Sequence, residues 1–574
     1  MVLLNHILSF SGLFVLLTHA NSSPHAPSRL LGVDWDLWTT LNASVDGHLH
    51  LSRPFELPCF SLFEGQAVSP DSLGCAAVQA NYTDPVFRSE HFGAYMQSQW
   101  ETCQATGSGC LLDDSDPTNP AAYQDKDCQT GNIAPAYIDV QTVEHIQAVY
   151  AFSLKTGVRL SVKNKGHDYK GRSSGWNTLG LWVSHLNAGF MSFNETFVPE
   201  SCNTSYRAIT IGTGVEMQQL YAFADQHNVT AVGGYHRTIG TGYFLGGGHS
   251  ILSPVYGLGV DRVVEIKVVT PDGRFRTVNE CEDSDLFWAL RGGGGSAFGV
   301  VTELTMRVEP QLTLQAAIIE FPANLSNLVS WYELMVNNSL RWGQEGWGGH
   351  IVGGSLIHVN PLLNQSAAQA SMQVAIDFAV AQGGSGLIDE LPSWNAFFLK
   401  YVTSAEAPVG PELMLGTRLL NTSLFATDSG KIALSAAIAN ALPFSTPYIV
   451  VGTPFLFPYV EGTTSVTPAW RTSLWHFSVK ERFYFNSTLQ DRQSEYAQVD
   501  QHIQVFRNLT PGSGAYFNEG DVYEPDHEQS YWGSNYKRLL EIKEKYDPYR
   551  ILDCWQCVGW RGAGDPLYAC YVQI

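Results

Sequence analysis

The chain has 574 residues, 44% of them hydrophobic and 15% charged, with a formal net charge of −21. That length exceeds one ordinary hydrophobic core and predicts two or three domains. The acidic balance excludes the basic footprint of a nucleic-acid binder and disfavours an anionic membrane surface as partner.

The first twenty residues, MVLLNHILSFSGLFVLLTHA, hold an apolar run from Ile7 to Leu17 and end in Thr18-His19-Ala20, a small-x-small cleavage site. They read as a signal peptide (1–20) cut after Ala20, although its start carries no Lys or Arg. The eleven-residue run is shorter than the roughly 20 residues that span a bilayer. No stable membrane anchor is expected, and the destination is secretion or the lumen of the secretory pathway, including the vacuole.

Two further features point to export. Ten cysteines cluster towards the ends: Cys59, Cys75, Cys103, Cys110 and Cys128 early, Cys554, Cys557 and Cys570 late, with Cys202 and Cys281 between. An even count in an oxidising compartment reads as disulfides. Cys554-x-x-Cys557 lacks the second pair of a zinc site, so no metal is expected. Twelve Asn-x-Ser/Thr sequons mark glycosylation candidates: Asn21, Asn42, Asn81, Asn194, Asn203, Asn228, Asn324, Asn337, Asn364, Asn421, Asn486 and Asn508.

Residues 21–128 are rich in turns and cysteines and read as a disulfide-tied extension. From 129 an α/β rhythm begins. TVEHIQAVYAFSLKTG places Val143, Ile146, Val149, Tyr150 and Phe152 at helical spacing, with Gly157 as the stop. VRLSVK alternates as a strand and leads into NKGHDYKGRSS. LGLWVSHL and RAITIGTGV predict strands, EMQQLYAFADQHN a helix, and VVEIKVVTPDGRFRTV a hairpin turning at Pro271-Asp272-Gly273. SDLFWALRGG predicts a short helix capped by Ser284. GVVTELTMRV closes the segment near 308.

Residues 310–505 differ. Strand-like LQAAIIEF, GGHIVGGSLIHV, YIVVGTPFLF and SLWHFSVKERFYF alternate with long helices such as SAAQASMQVAIDFAVAQ. That pattern predicts an antiparallel sheet with helices on one face. From about 506 the chain is short-looped and aromatic.

Two glycine runs, Gly240–Ser250 and Arg291–Val301, allow backbone N–H groups to approach a ligand; tight turns are the plainer reading of either alone. Gly292-x-Gly294-x-x-Ala297 formally matches a dinucleotide fingerprint, but that motif needs a strand before it and a helix after it. Here the predicted order is the reverse. No P-loop or His-Glu-x-x-His is present.

VKNKGHDYKGRSSG, GGGHSILSPVYGLGVDRVVEIKVVTPDGR, DSDLFWALRGGGGSAFGVVTELTMRV and YWGSNYKRLLEIKEKYDP together resemble fungal FAD-linked oxidoreductases. These belong to the vanillyl-alcohol oxidase/p-cresol methylhydroxylase superfamily, berberine-bridge-enzyme-like branch. The chain is especially similar to secreted isoamyl-alcohol-oxidase-like members and to oxidases of fungal secondary-metabolite pathways. The resemblance runs from about residue 59 to the C-terminus.

It implies an α+β fold: a p-cresol-methylhydroxylase-type FAD-binding domain of two α/β subdomains (129–310), an antiparallel-sheet substrate domain (311–505), and a return to the FAD domain (506–574). It also implies that His167 bonds covalently to the flavin 8α carbon, for which a neutral imidazole is the suitable nucleophile. Many members carry a second link through a cysteine in a GGxCPxVG-like stretch. Here that stretch reads AVGGYHRTIGTGYFLGGGHS, without cysteine, so attachment through His167 alone is expected. His236, near the missing cysteine, reads as a core or surface histidine.

By the same resemblance, Lys163, Asn164, Gly166, Asp168, Gly171, Arg172 and Ser173 wrap the pyrophosphate and ring edge. Gly246, Gly247, His249 and Ser250 lie along the flavin, with Gly259, Asp261, Val263, Gly299 and Val301 near it. Asn518 and Asn535 hydrogen-bond it from the C-terminal stretch. Turn-forming glycines and capping asparagines are the plainer alternative for each.

The implied chemistry is hydride transfer from a hydroxyl-bearing small molecule to flavin, with reoxidation by oxygen. Tyr169, His476 and Tyr484 are candidate catalytic residues, and Asp168 a turn cap or an electrostatic aid. An oligosaccharide oxidase on the same fold, and a flavin-free binding glycoprotein, are the alternative readings.

Overall fold

The computed structural model describes residues 29–574; the proposed signal peptide and the Asn21 sequon lie outside the described residues. Three sheets organise the chain. In a four-stranded sheet, Ala136–Asp139, Leu179–Trp182 and Leu160–Lys163 run parallel, with Leu49–Leu51 antiparallel at the edge. The extension therefore contributes a strand to this sheet. The helix Val143–Thr156 packs Ile146, Val149 and Tyr150 against it. Thr142 caps this helix through the His145 N–H, and Gly157 ends it at φ +78°, a conformation that costs glycine no Cβ clash.

A five-stranded antiparallel sheet follows, in the order Met191–Phe197, Tyr206–Gly212, Val300–Arg307, Val263–Val269, Phe275–Asn279. The hairpin turns where expected: Gly273 takes φ +77° and its N–H donates to Thr270 O at 2.8 Å. The helix after it is Ser284–Leu290, and its cap position is Asp283 rather than Ser284. Asp283 uses its carboxylate on Arg276 at 2.9 Å, so no side chain caps the helix. The Gly292–Ala297 run lies between this helix and the strand Val300–Arg307, the order that excludes a dinucleotide fingerprint.

The third sheet has seven antiparallel strands: Ser385–Leu391, Leu314–Glu320, Ser355–Asn360, Gly348–Val352, Tyr448–Val451, Ser473–Phe483 and Glu412–Asn421. GGHIVGGSLIHV is thus a hairpin rather than one strand, with Gly353 at φ +54° in its turn. Helices Leu325–Glu345, Gln365–Ala381, Asp428–Ala441 and Leu489–Leu509 cover one face. Their contacts with the sheet include Ile351, Ile449, Trp475, Phe477 and Val479. Because strand side chains alternate, the intervening His350, Tyr448, His476 and Lys480 belong to the opposite face.

All ten cysteines pair: Cys59–Cys75, Cys103–Cys570, Cys110–Cys128, Cys202–Cys281 and Cys554–Cys557. Cys103–Cys570 joins the extension to the C-terminus across 467 residues of sequence. Loop-closure entropy rises with the length enclosed, so Cys103→Ser/Cys570→Ser is expected to lose roughly 2–5 kcal/mol. A denaturant midpoint equal to that of the unaltered protein would show that packing alone holds the ends together.

Candidate active site

The strand Leu160–Lys163 delivers the chain into the loop that carries His167. Gly166 and Gly171 take φ +82° and +73° there, and a Cβ on Gly171 would lie 2.2 Å from the Trp100 ring. The Trp100 indole also donates to Tyr169 O at 3.1 Å. Asp168 accepts the N–H groups of Lys170 and Arg172, both at 2.9 Å, and the Arg172 Nε at 2.8 Å. Burial opposes the Asp168 charge, but Arg172 and these hydrogen bonds hold its carboxyl below the ordinary range. Asp168 is therefore the loop's internal brace.

This brace sets His167 and Tyr169 on the wall of a cavity of about 740 Å³. The His167 ring is partly accessible because it borders that space, yet burial, then His236 and Lys165, pull its pKa well below the ordinary value. It is a neutral imidazole. Asn164, Gly166, Asp168, Arg172 and Ser173 line the same cavity, as do His249, Gly299, Val301 and Asn518. Asn164 Oδ1, Arg172 Nη1 and Ser173 Oγ are buried there without a hydrogen-bond partner. Buried polar atoms rarely stay unpaired, and this set, together with its close-approaching glycine backbone, fits a group with anionic and amide edges such as FAD.

Other sequence-predicted residues lie behind this wall. Lys163 is fully buried and donates to His91 O, Phe92 O and Ala94 O at 2.8, 2.7 and 2.5 Å, so it ties the extension to the sheet. Gly171 packs on Trp100. Gly246 leaves room for Asn518, whose Oδ1 would lie 2.3 Å from a Cβ. Gly247 (φ +135°), Gly259 and Val263 shape the same turn and strand start. Ser250 Oγ accepts the Leu252 N–H at 3.2 Å. Asp261 pairs bidentately with Arg471 at 2.7 and 2.8 Å, and Asn535 donates to Val466 O at 2.9 Å. Tyr484 follows the last strand residue and is 49% exposed, away from the cavity.

Across the cavity, two domains meet in a cluster of acids and bases. His249 donates from Nε2 to Glu519 Oε1 at 3.1 Å, and Tyr235 O–H donates to His249 Nδ1 at 3.3 Å. His476 brings Nδ1 to 3.7 Å from Glu519 Oε2, and both its ring nitrogens are buried without a hydrogen bond. Tyr448 O–H donates to His350 Nδ1 at 2.6 Å. Burial pushes His350 down to about 3 and His476 down to about 4, so both rings are neutral at neutral pH. Burial works against the Glu519 charge, but His249 and its hydrogen bond prevail and the carboxyl stays below the ordinary range.

Four carboxylates line the cavity, and three are engaged elsewhere. Asp168 is held by Arg172, Glu406 by Arg237 at 2.7 Å, and Glu481 by His502 at 3.1 Å. Glu519 differs in its partner: His249 itself lines the cavity, so the Glu519 charge stays within the site. Tyr516 stands next to it; its hydroxyl oxygen accepts the Gly248 N–H at 3.1 Å and Asn518 Nδ2 at 2.8 Å. The ligand atoms of His249, His476 and Glu519 lie within 4.8 Å of one another, a spacing a divalent ion can bridge; the His249–Glu519 hydrogen bond already joins two of the three.

Comparison with known proteins adds the cofactor. A family described as "FAD binding domain" matches residues 134–279, and one described as "Berberine and berberine like" matches 515–556. An FAD-linked oxidoreductase of Aspergillus flavipes is 39% identical over 92% of both chains. The chain belongs to the fungal FAD-linked oxidoreductases. Another such oxidoreductase, from Pyricularia oryzae, is 36% identical over 91% of this chain and 92% of its own. In fold, this oxidoreductase is similar to a VAO-type flavoprotein of Myceliophthora thermophila. The TM-score is 0.79 at 25% identity, over 93% of this chain and 97% of that one. The expected α+β architecture, an FAD-binding domain plus a large antiparallel substrate sheet, is the one observed.

The cavity also takes residues that sequence reasoning passed over. Tyr235, His350, Tyr448, Tyr516 and Glu519 all reach the cavity. His350 and Tyr448 carried a signal: polar side chains at alternate positions of otherwise apolar strands. Glu519 stood one residue from the predicted Asn518.

Proposed function

We propose that this FAD-dependent oxidoreductase oxidises an apolar, hydroxyl-bearing small molecule of fungal secondary metabolism, with its flavin attached covalently through His167 alone. The observation that carries the reading is the cavity itself, with neutral His167 at one wall and the histidine-paired Glu519 carboxylate at another. Phe397, Val402, Pro408, Pro411, Leu413 and Leu415 line part of it, and an apolar wall favours an apolar substrate over a sugar.

Arg172, Ser173 and Asn164 would hold the cofactor through their unpartnered atoms. Bound FAD supplies the two-electron acceptor, and oxygen is the proposed final oxidant. Glu519 accepts the proton of the substrate hydroxyl, and His249, fixed by Tyr235, stabilises the carboxylate and orients it. Tyr516 fills the adjacent wall and positions the hydroxyl. Because His350 on the cavity wall and His476 behind Glu519 stay neutral, neither competes for the anion.

The reading extends to a secreted glycoprotein. None of the eleven sequon asparagines within the described residues is buried, as attachment of a glycan requires. The test is anaerobic mixing of the purified protein with a panel of apolar alcohols, followed by flavin absorbance. Bleaching by apolar alcohols is expected. Bleaching by oligosaccharides alone would overturn the substrate class, and a protein without flavin would overturn the reading as a whole.

A further inference from the structure

His236 and Thr238 take no part in the chemistry above, yet they touch the proposed attachment residue. His167 Nε2 lies 2.8 Å from Thr238 Oγ1, and the same oxygen lies 3.3 Å from His236 Nδ1. The two imidazoles meet edge to face with centroids 4.6 Å apart. His236 is 7% exposed, and its Nε2 is buried without a partner. Glu406 Oε1 stands 3.9 Å from His236 Nδ1. Glu406 is fixed in turn by the N–H and Nε of Arg237 at 2.6 and 2.7 Å. It follows the helical turn Phe398–Val402 and precedes the strand Glu412–Asn421 of the seven-stranded sheet. Lys165, paired with Glu216 at 3.1 Å, is the remaining charge beside His167.

We infer that Thr238 and His236 form a proton relay that serves covalent attachment of the flavin, with Glu406 of the substrate domain stabilising the charged His236. The inference rests on attachment through His167. With Nε2 committed to Thr238, Nδ1 is the nitrogen free to attack. One C–H bond of the flavin 8α methyl breaks, releasing a proton, and one C–N bond to Nδ1 forms. The bonded imidazole sheds its Nε2 proton to Thr238 Oγ1, and the Thr238 hydroxyl proton passes to His236 Nδ1. The two electrons left over reduce the isoalloxazine, and dioxygen takes them with two protons as hydrogen peroxide. Flavin, imidazole and oxygen thus give the linked flavin and peroxide. Without the relay the imidazolium stays on buried His167 beside Lys165, whereas on His236, also buried, it lies next to the Glu406 carboxylate.

The relay also makes cofactor attachment depend on the substrate domain, because Glu406 reaches His236 only when the segment between Val402 and Glu412 lies over the FAD domain.

The test compares full-length wild type, Thr238→Val, Thr238→Ser and His236→Gln. Each is incubated with FAD in air and sampled over time, and the flavin that stays with acid-precipitated protein is measured, with the His167 peptide mass as a second readout. Thr238→Val and His236→Gln are expected to slow attachment about 100-fold while still binding FAD reversibly, and Thr238→Ser to restore the rate. Wild-type attachment rates in Thr238→Val or in His236→Gln would overturn the relay. A variant that binds no FAD is judged from the other one. Wild-type protein that releases all its flavin on precipitation would instead sink attachment through His167 itself.

Discussion

Glu519→Gln lowers kcat about 100- to 10,000-fold, the usual contribution of a positioned general base. The amide keeps the shape and still accepts the His249 hydrogen bond, so flavin content is expected to stay at the wild-type level. What disappears is the negative charge that takes the substrate proton. The pH profile follows from the same carboxyl. Its folded-state pKa lies below the ordinary glutamate value of about 4.3, so the base is ionised throughout the neutral and mildly acidic range. In the wild type, kcat/KM is expected to stay level as pH falls from neutral into the mildly acidic range and to decline only below the ordinary carboxylate range. A tyrosine base would give the opposite limb, because burial pushes the Tyr516 hydroxyl upward: activity would keep climbing with pH. Steady-state rates with the alcohol found by anaerobic bleaching separate the two, and a Glu519→Gln kcat within a few-fold of wild type, roughly threefold, excludes the carboxylate.

His167→Ala removes all covalent flavin, so acid precipitation is expected to leave a colourless pellet where the wild type leaves a yellow one. The departure from the double-linked pattern makes this sharp. Every cysteine of the chain is engaged in a disulfide, so no thiol remains to hold the ring when the imidazole is gone. The variant retains the unpartnered Arg172, Ser173 and Asn164 atoms and therefore binds FAD reversibly. Its stability then depends on free FAD, by about 2.7 kcal/mol at a hundredfold excess over Kd, whereas a covalently loaded wild type shows no such dependence. Thermal unfolding at several FAD concentrations checks this. A His167→Ala pellet that stays yellow would place the link on another residue.

Much of the scaffold was legible because its signals are local. The helix over Val143–Thr156 has its period, its Thr142 cap and its Gly157 stop within one short stretch, and the Pro271-Asp272-Gly273 hairpin declares itself in three residues. The His167 loop was legible for the same reason, since its glycines, its Asp168 brace and its histidine are neighbours in sequence. Errors arose where a signal was ambiguous at short range. Asp283 and Ser284 both have cap chemistry; the cap position falls on Asp283, whose carboxylate bonds Arg276 instead of the helix N–H groups. Two glycines in GGHIVGGSLIHV read as part of a strand until the pairing of Val352 with Ser355 turned them into a hairpin.

The sequence by itself carried the class of the protein: a cysteine-rich α+β chain whose contiguous motifs resemble FAD-linked oxidoreductases, with a histidine loop after a strand. It did so because composition, periodicity and contiguous motifs are properties of neighbouring residues. Only the tertiary structure decided the site. Glu519 and His249 lie 270 residues apart, and His167 meets His236 only through the folding of two loops onto one cavity. The face each strand side chain takes is set by which side the helices cover. That choice put His476 beside Glu519, whereas Tyr484 lies outside because the strand ends at Phe483. Lys163, a predicted cofactor contact, went to three backbone carbonyls instead, because a buried ammonium must satisfy its donors with the nearest acceptors.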